Sequence, residues 1–244
     1  MTTQDGPTER RGLRRALVDD RDGPLPAMLL AFTVLAGVVD ATSILALDHV
    51  FVAAITGNIV FLGLGVAGTG FSVVSPAVAV GGFMVGAVVG ARVCRRPGGH
   101  HRGRAVRDTA IGKTVLAVPV TVAVIAVEPL TADVRLAVTA LLAASMGLQL
   151  ALIRYLKVPD MVTTVLTLTA VGVLTERGSG RHDPLVLRRA LALSAFVVGV
   201  VAGGLLAHHV SPGAALALGL AIILAVGAGS QAVAHVDAPW ATPR

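Results

Sequence analysis

Residues 50–67 read VFVAAITGNIVFLGLGVA, and whether this stretch crosses a lipid bilayer decides the architecture of the whole chain. It falls just short of the roughly 20 residues that a helical span needs at 1.5 Å rise per residue. Its centre, Thr56-Gly57-Asn58, is polar. Gly permits unusual backbone geometry and Asn competes for backbone hydrogen bonds, so a helix is expected to break there. Unwound backbone at membrane depth persists only when it is buried in protein or lines a cavity. Its freed groups and the Asn58 amide then either contact a solute or serve as a tight packing point between helices.

Working outward, further apolar runs lie at about 25–47, 73–94, 110–127, 134–156, 158–174, 188–207 and 213–234. Composition agrees with a membrane protein. Hydrophobic residues make up 55% of the 244 and charged residues 14%, against roughly 45–50% and about 25% in soluble domains. The mean hydropathy of +0.80 is too apolar for a water-soluble fold of this length. Aromatics are only 3%, so the apolar character comes from Ala, Val, Leu and Gly, the residues of closely packed membrane helices. The net charge of +6 sits in short arginine blocks without aromatic interleaving, which argues against nucleic-acid binding. The lone Cys94 excludes an internal disulfide.

Charge placement chooses the number of crossings. Arg10, Arg11, Arg14 and Arg15 precede the first run, Arg92 to Arg107 follow the third, and Arg177, Arg181, Arg188 and Arg189 precede the seventh. The connections around Asp48, Glu128–Asp133 and His208–Pro212 carry little positive charge. Eight crossings would put the first two basic blocks on opposite sides, against the positive-inside bias. If 50–67 and 158–174 enter and return, every basic block and both termini become cytoplasmic. The expectation is therefore an all-α, polytopic transmembrane bundle of six spans plus two short re-entrant or broken helices. Residues 1–24 read as a charged cytoplasmic tail and not a removed signal peptide. Residues 25–234 form the transmembrane domain, and 235–244 a C-terminal tail.

The domain contains a weak internal repeat, 25–128 and 134–234. Gly37-Val38-Val39-Asp40, Thr56-Gly57-Asn58 and Phe83-Met84-Val85-Gly86 with Gly90 are followed about 110 residues later by three counterparts. These are Gly147-Leu148-Gln149-Leu150, Thr167-Leu168-Thr169 and Phe196-Val197-Val198-Gly199 with Gly203. With six crossings the two halves are inverted, a transporter design whose site lies at the repeat interface. The glycine ladders read as helix-packing faces, within the chain or in a homo-oligomer.

Asp40 lies deep in the first run, where a carboxylate costs about 2.5–3.5 kcal/mol on insertion scales. It marks either a solute or proton path or a polar tie between helices. Gln149, its approximate counterpart, needs a partner in lipid, and a second helix or a ligand could supply it. Thr163, Thr164 and Thr167, after Pro159-Asp160, bond either their own helix backbone or a solute. Candidate substrate-binding residues are thus Asp40, Thr56, Gly57, Asn58, Gln149, Thr163, Thr164 and Thr167. The histidines lack metal spacing. H-E-x-x-H, G-x-S-x-G and phosphate-loop signatures are missing, so no enzymatic activity, cofactor or metal is expected.

Four segments together, Gly37–Ala41, Phe51–Asn58, Met146–Gln149 and Thr163–Thr167, resemble the YoaK family of bacterial multi-pass membrane proteins of unknown function. The resemblance covers nearly all the chain beyond the tail and implies six spans in a bacterial inner membrane. It carries no established catalytic residues. Thr167-Leu168 stands where the family pattern implies Thr-Gly, so the two broken elements are not expected to work identically. Two functional classes follow: a small-solute transporter or channel, and a non-transporting membrane-embedded sensor or accessory protein.

Overall fold

The computed structural model describes residue 18 and residues 21–96, 101–127, 129–158 and 184–242, with 184–186 described as backbone only. The second short run, 158–174, lies outside the described residues apart from Val158. Among the described residues seven α-helices follow one another and no strand occurs. They are α1 (Leu25–Ala46), α2 (Ile55–Val66), α3 (Val74–Cys94), α4 (Arg102–Ala126), α5 (Ala132–Leu156), α6 (Pro184–His209) and α7 (Pro212–Val233).

Local chemistry sets these limits. Pro212 opens α7 behind Ser211, whose hydroxyl accepts the Ala214 N–H, and Thr131 caps α5 by accepting the Val134 N–H. Lys157, left-handed at φ 50°, stops α5, and Asp48 and His49 turn the chain after α1 in the same way. All but α2 are long and apolar enough to cross a membrane. With 12 residues, α2 reaches about 18 Å, well short of a roughly 30 Å hydrocarbon core. The apolar run at 110–127 underestimates α4, whose first two turns are basic: Arg102, Arg104 and Arg107 are helical residues and not loop charges.

Contacts at the two ends fix the direction of every long helix. Just before α1, the Asp22 carboxylate pairs with Arg102 at the start of α4 (3.1 Å) and Arg188 near the start of α6 (3.4 Å). Arg102 also donates to the Leu156 carbonyl at the end of α5 and the Trp240 carbonyl beyond α7. At the opposite end, Asp48 beyond α1 accepts from Ser75 in the first turn of α3 and pairs with Arg135 near the start of α5. Gly213, opening α7, abuts Ile125 at the end of α4. The six long helices therefore run alternately up and down, and α2 adds no crossing. Residues 21 and 242 lie at the same end.

The side-by-side packing is reciprocal. Chiefly, α1 packs on α6, α3 on α5 and α4 on α7. Gly37 lies against the backbone of Phe196 and Val200, while Gly147 lies against that of Phe83 and Ala87. Gly199 meets the Val34 carbonyl and Gly86 the Ala144 carbonyl; Gly203 meets Val38 and Gly90 meets Leu148. At these seams a Cβ would overlap main-chain atoms, which is why small residues bring the helices this close. The glycine ladders are helix–helix seams inside the chain. Helices α1 and α5 are the most enclosed, whereas α3, α4 and α6 turn residues such as Val85, Val122 and Val198 outwards.

Candidate functional site

The chain leaves α1 at Ala46 and then folds back into the bundle, so that Val50 and Val52 are fully buried before α2 begins. An extended segment at that depth must have its N–H groups satisfied internally. Two side chains do this. Asn58, itself fully buried, accepts the Phe51 N–H on Oδ1 (2.9 Å) and donates from Nδ2 to the Phe51 carbonyl (2.6 Å). Asp40, 3% exposed, accepts from Val52 and Ala53 on Oδ1 (2.9 and 2.7 Å) and from Ala54 on Oδ2 (3.1 Å).

Four successive amides, 51–54, are thus held by two side chains. The N-cap position of α2 is Ala54, which has no capping group of its own. Asp40, six residues before the end of α1, instead holds the three amides that lead into α2, with its carboxylate near the positive end of the α2 dipole. The half-length helix consequently starts about 9 Å inside the end of α1. Gly57 allows the Phe51 ring to lie on the first turn of α2, where a Cβ would sit 2.6 Å from a ring carbon.

Beside this junction lies a cavity of about 470 Å³. Asp40, Ala54, Thr56 and Gly57 line it from one side, and Met146, Gln149 and Leu150 from α5 line the other. Phe83 of α3 and Phe196 of α6 complete the wall. Asp40, Thr56, Gly57 and Gln149 are therefore brought together. Asn58 stands behind the wall, bonded to the loop, and Thr163, Thr164 and Thr167 lie outside the described residues. Gly37 and Gly147 occupy equivalent places in their two seams, and counting on from each puts Asp40 and Leu150 three residues beyond them.

Lys113 is absent from the sequence candidates, yet it is central here. Its side chain is fully buried in the middle of α4. Nζ donates to Gln149 Oε1 (2.9 Å) and to the Ser145 carbonyl (3.2 Å), and sits 5.3 Å from the centroid of the Phe32 ring. Gln149 in turn donates from Nε2 to the Phe32 carbonyl (3.0 Å). The rule that singles out Asp40, an ionisable group inside an apolar run, would have found it. No three His, Cys, Asp or Glu residues converge among the described residues.

Six long apolar helices of alternating direction, a half-length helix starting inside the bundle and a buried polar layer define a polytopic, membrane-spanning helical protein. Over residues 28–229 the chain matches the model of the family described as "Protein of unknown function (DUF1275)". The chain belongs to that family. No curated protein and no solved structure is matched.

Proposed function

We propose that the chain is a small-solute transporter or channel of a bacterial inner membrane, YoaK-like, whose two halves form an inverted repeat. One observation carries this reading. The cavity at the inner end of α2 is walled by matching residues of both halves: Phe83 with Phe196, Ala36 with Met146, and Asp40 with Leu150. Reciprocal glycine seams between α1 and α6 and between α3 and α5 support the repeat. A half-helix that starts beside a midplane cavity is how inverted-repeat transporters expose polar backbone to a solute.

Arg92, Arg95, Arg96, Arg104, Arg107 and Arg154 gather at the end that holds both described termini, against Arg135 at the other. This supports cytoplasmic termini. A second reading, a non-transporting sensor or accessory protein, is favoured by the commitment of Asp40 and Asn58 to backbone amides.

Flux separates the two. Proteoliposomes loaded with a panel of amino acids, sugars, nucleobases, carboxylates and inorganic ions would be followed for solute-specific efflux. Ala54→Leu, exposed and at the cavity wall, blocks the space without removing a hydrogen bond and should abolish efflux at an unchanged melting temperature. If no solute leaves faster than from protein-free vesicles, transport is refuted.

A further inference from the structure

A second cavity, of about 630 Å³, opens between the basic-end halves of α3 and α5 and shares the wall residue Leu150 with the first. Arg95, Arg154, Lys157 and Tyr155 line it together with an apolar floor that includes Ala91 and Ala151. No Asp or Glu is among these lining residues. Several neighbouring cations at this end of the bundle are committed elsewhere. Arg102 and Arg188 hold Asp22, Arg104 donates to the Ala234 carbonyl, and Arg107 bonds Asp108. Arg95 and Arg154 are exposed and form no side-chain hydrogen bond or ion pair among the described residues.

We infer that this cavity binds a phosphate monoester or diester anion, held by the Arg95 and Arg154 guanidinium groups. Guanidinium forks match phosphate oxygens two at a time. The volume falls in the roughly 300–1,000 Å³ range of small-ligand sites and exceeds that of a bare phosphate. The apolar floor runs from the basic rim towards the hydrocarbon depth of α3 and α5, which suits an anion carrying an acyl chain. A phospholipid headgroup and a soluble phosphate ester present the same chemistry. Both would meet two unpaired cations at the membrane face, where basic pockets between helices favour anionic headgroups.

The full-length protein in neutral detergent would be titrated with phosphatidylglycerol, phosphatidylcholine and glycerol phosphate, with bound lipid read by native mass spectrometry and stabilisation by thermal shift. Phosphatidylglycerol should bind in preference to phosphatidylcholine. R95Q/R154Q should weaken it by about fivefold per arginine removed. R96Q, exposed at the same end but off the cavity wall, should leave binding unchanged. Should the double variant fail to fold, R154Q alone carries the test with a loss of about fivefold. Stabilisation by glycerol phosphate that the double variant abolishes would identify a soluble ester as the ligand. Equal binding of both lipids without response to glycerol phosphate, or an equal loss in R96Q, would overturn the site in favour of undirected surface attraction.

Discussion

Asp40→Asn is the substitution by which this carboxylate's hold on the segment leading into α2 can be measured. The amide keeps one oxygen, which still accepts from Val52 and Ala53, but it turns an N–H₂ group towards the Ala54 N–H. One charge-assisted bond is lost outright, worth about 1.5–3 kcal/mol, and two others fall to neutral strength, about 0.5–1.5 kcal/mol each. Relief of the carboxylate's desolvation offsets part of this, so a net loss near 3 kcal/mol is expected. At this chain length 3 kcal/mol lowers the melting midpoint by about 6–12 °C. The same loss should speed hydrogen exchange at amides 52–54 by about 100-fold, with α5 and α7 protected as before. Detergent-solubilised protein followed by thermal melting and exchange mass spectrometry reads both. A midpoint within 1 °C of the parent and unchanged exchange at 52–54 would refute this role. The result also decides how flux data are read: lost transport in this variant would reflect a displaced α2 as readily as a missing solute contact.

Three other outcomes follow from the same geometry. Gly147→Leu should prevent a stable fold, because its Cβ would already overlap the Phe83 carbonyl; a monodisperse, normally melting variant would show the α3–α5 seam to be looser than described. Asp22→Asn strips a buried carboxylate from Arg102 and Arg188, and breaking such a cluster costs about 3–5 kcal/mol; a melting midpoint unchanged by the substitution would contradict that role. In a Cys94→Ala background, Val210→Cys should react with an impermeant thiol reagent outside intact cells and Val236→Cys only after lysis, both positions being exposed at opposite ends; the reverse pattern would invert the proposed orientation.

Much of the architecture was legible in the sequence because length, polarity and charge act locally. The shortness of 50–67 and the arginine blocks limited the crossings, and α2 is indeed a half-length helix. The helix seams were visible wherever Gly contacts backbone, since a Cβ there would overlap main-chain atoms. What polar groups bond to was not legible. The partners of Asp40 lie 12–14 residues away through a loop with no local signature. Lys113 meets Gln149 across 36 residues, and Arg102 meets Asp22 across 80. Arg102 looked like an ordinary loop cation because a block of arginines does not reveal which member turns inwards.

Under the transport proposal, the bonds around Gln149 set what the cavity would offer a solute. Lys113 Nζ donates to Oε1 of Gln149 and so holds that oxygen on its own side, with Nε2 turned to the Phe32 carbonyl. One Nε2 hydrogen is used on the Phe32 carbonyl, leaving the second without a partner among the described residues. Asp40 retains an acceptor position on Oδ2, and the Thr56 hydroxyl has no partner among the described residues. Asp40, Thr56 and Gln149 are the polar side chains of a wall that is otherwise apolar apart from backbone. Under the transport proposal, that combination favours a small, compact molecule with both a donor and an acceptor over a bare ion. Lys113, which does not line the cavity, acts on it by orienting the glutamine that does.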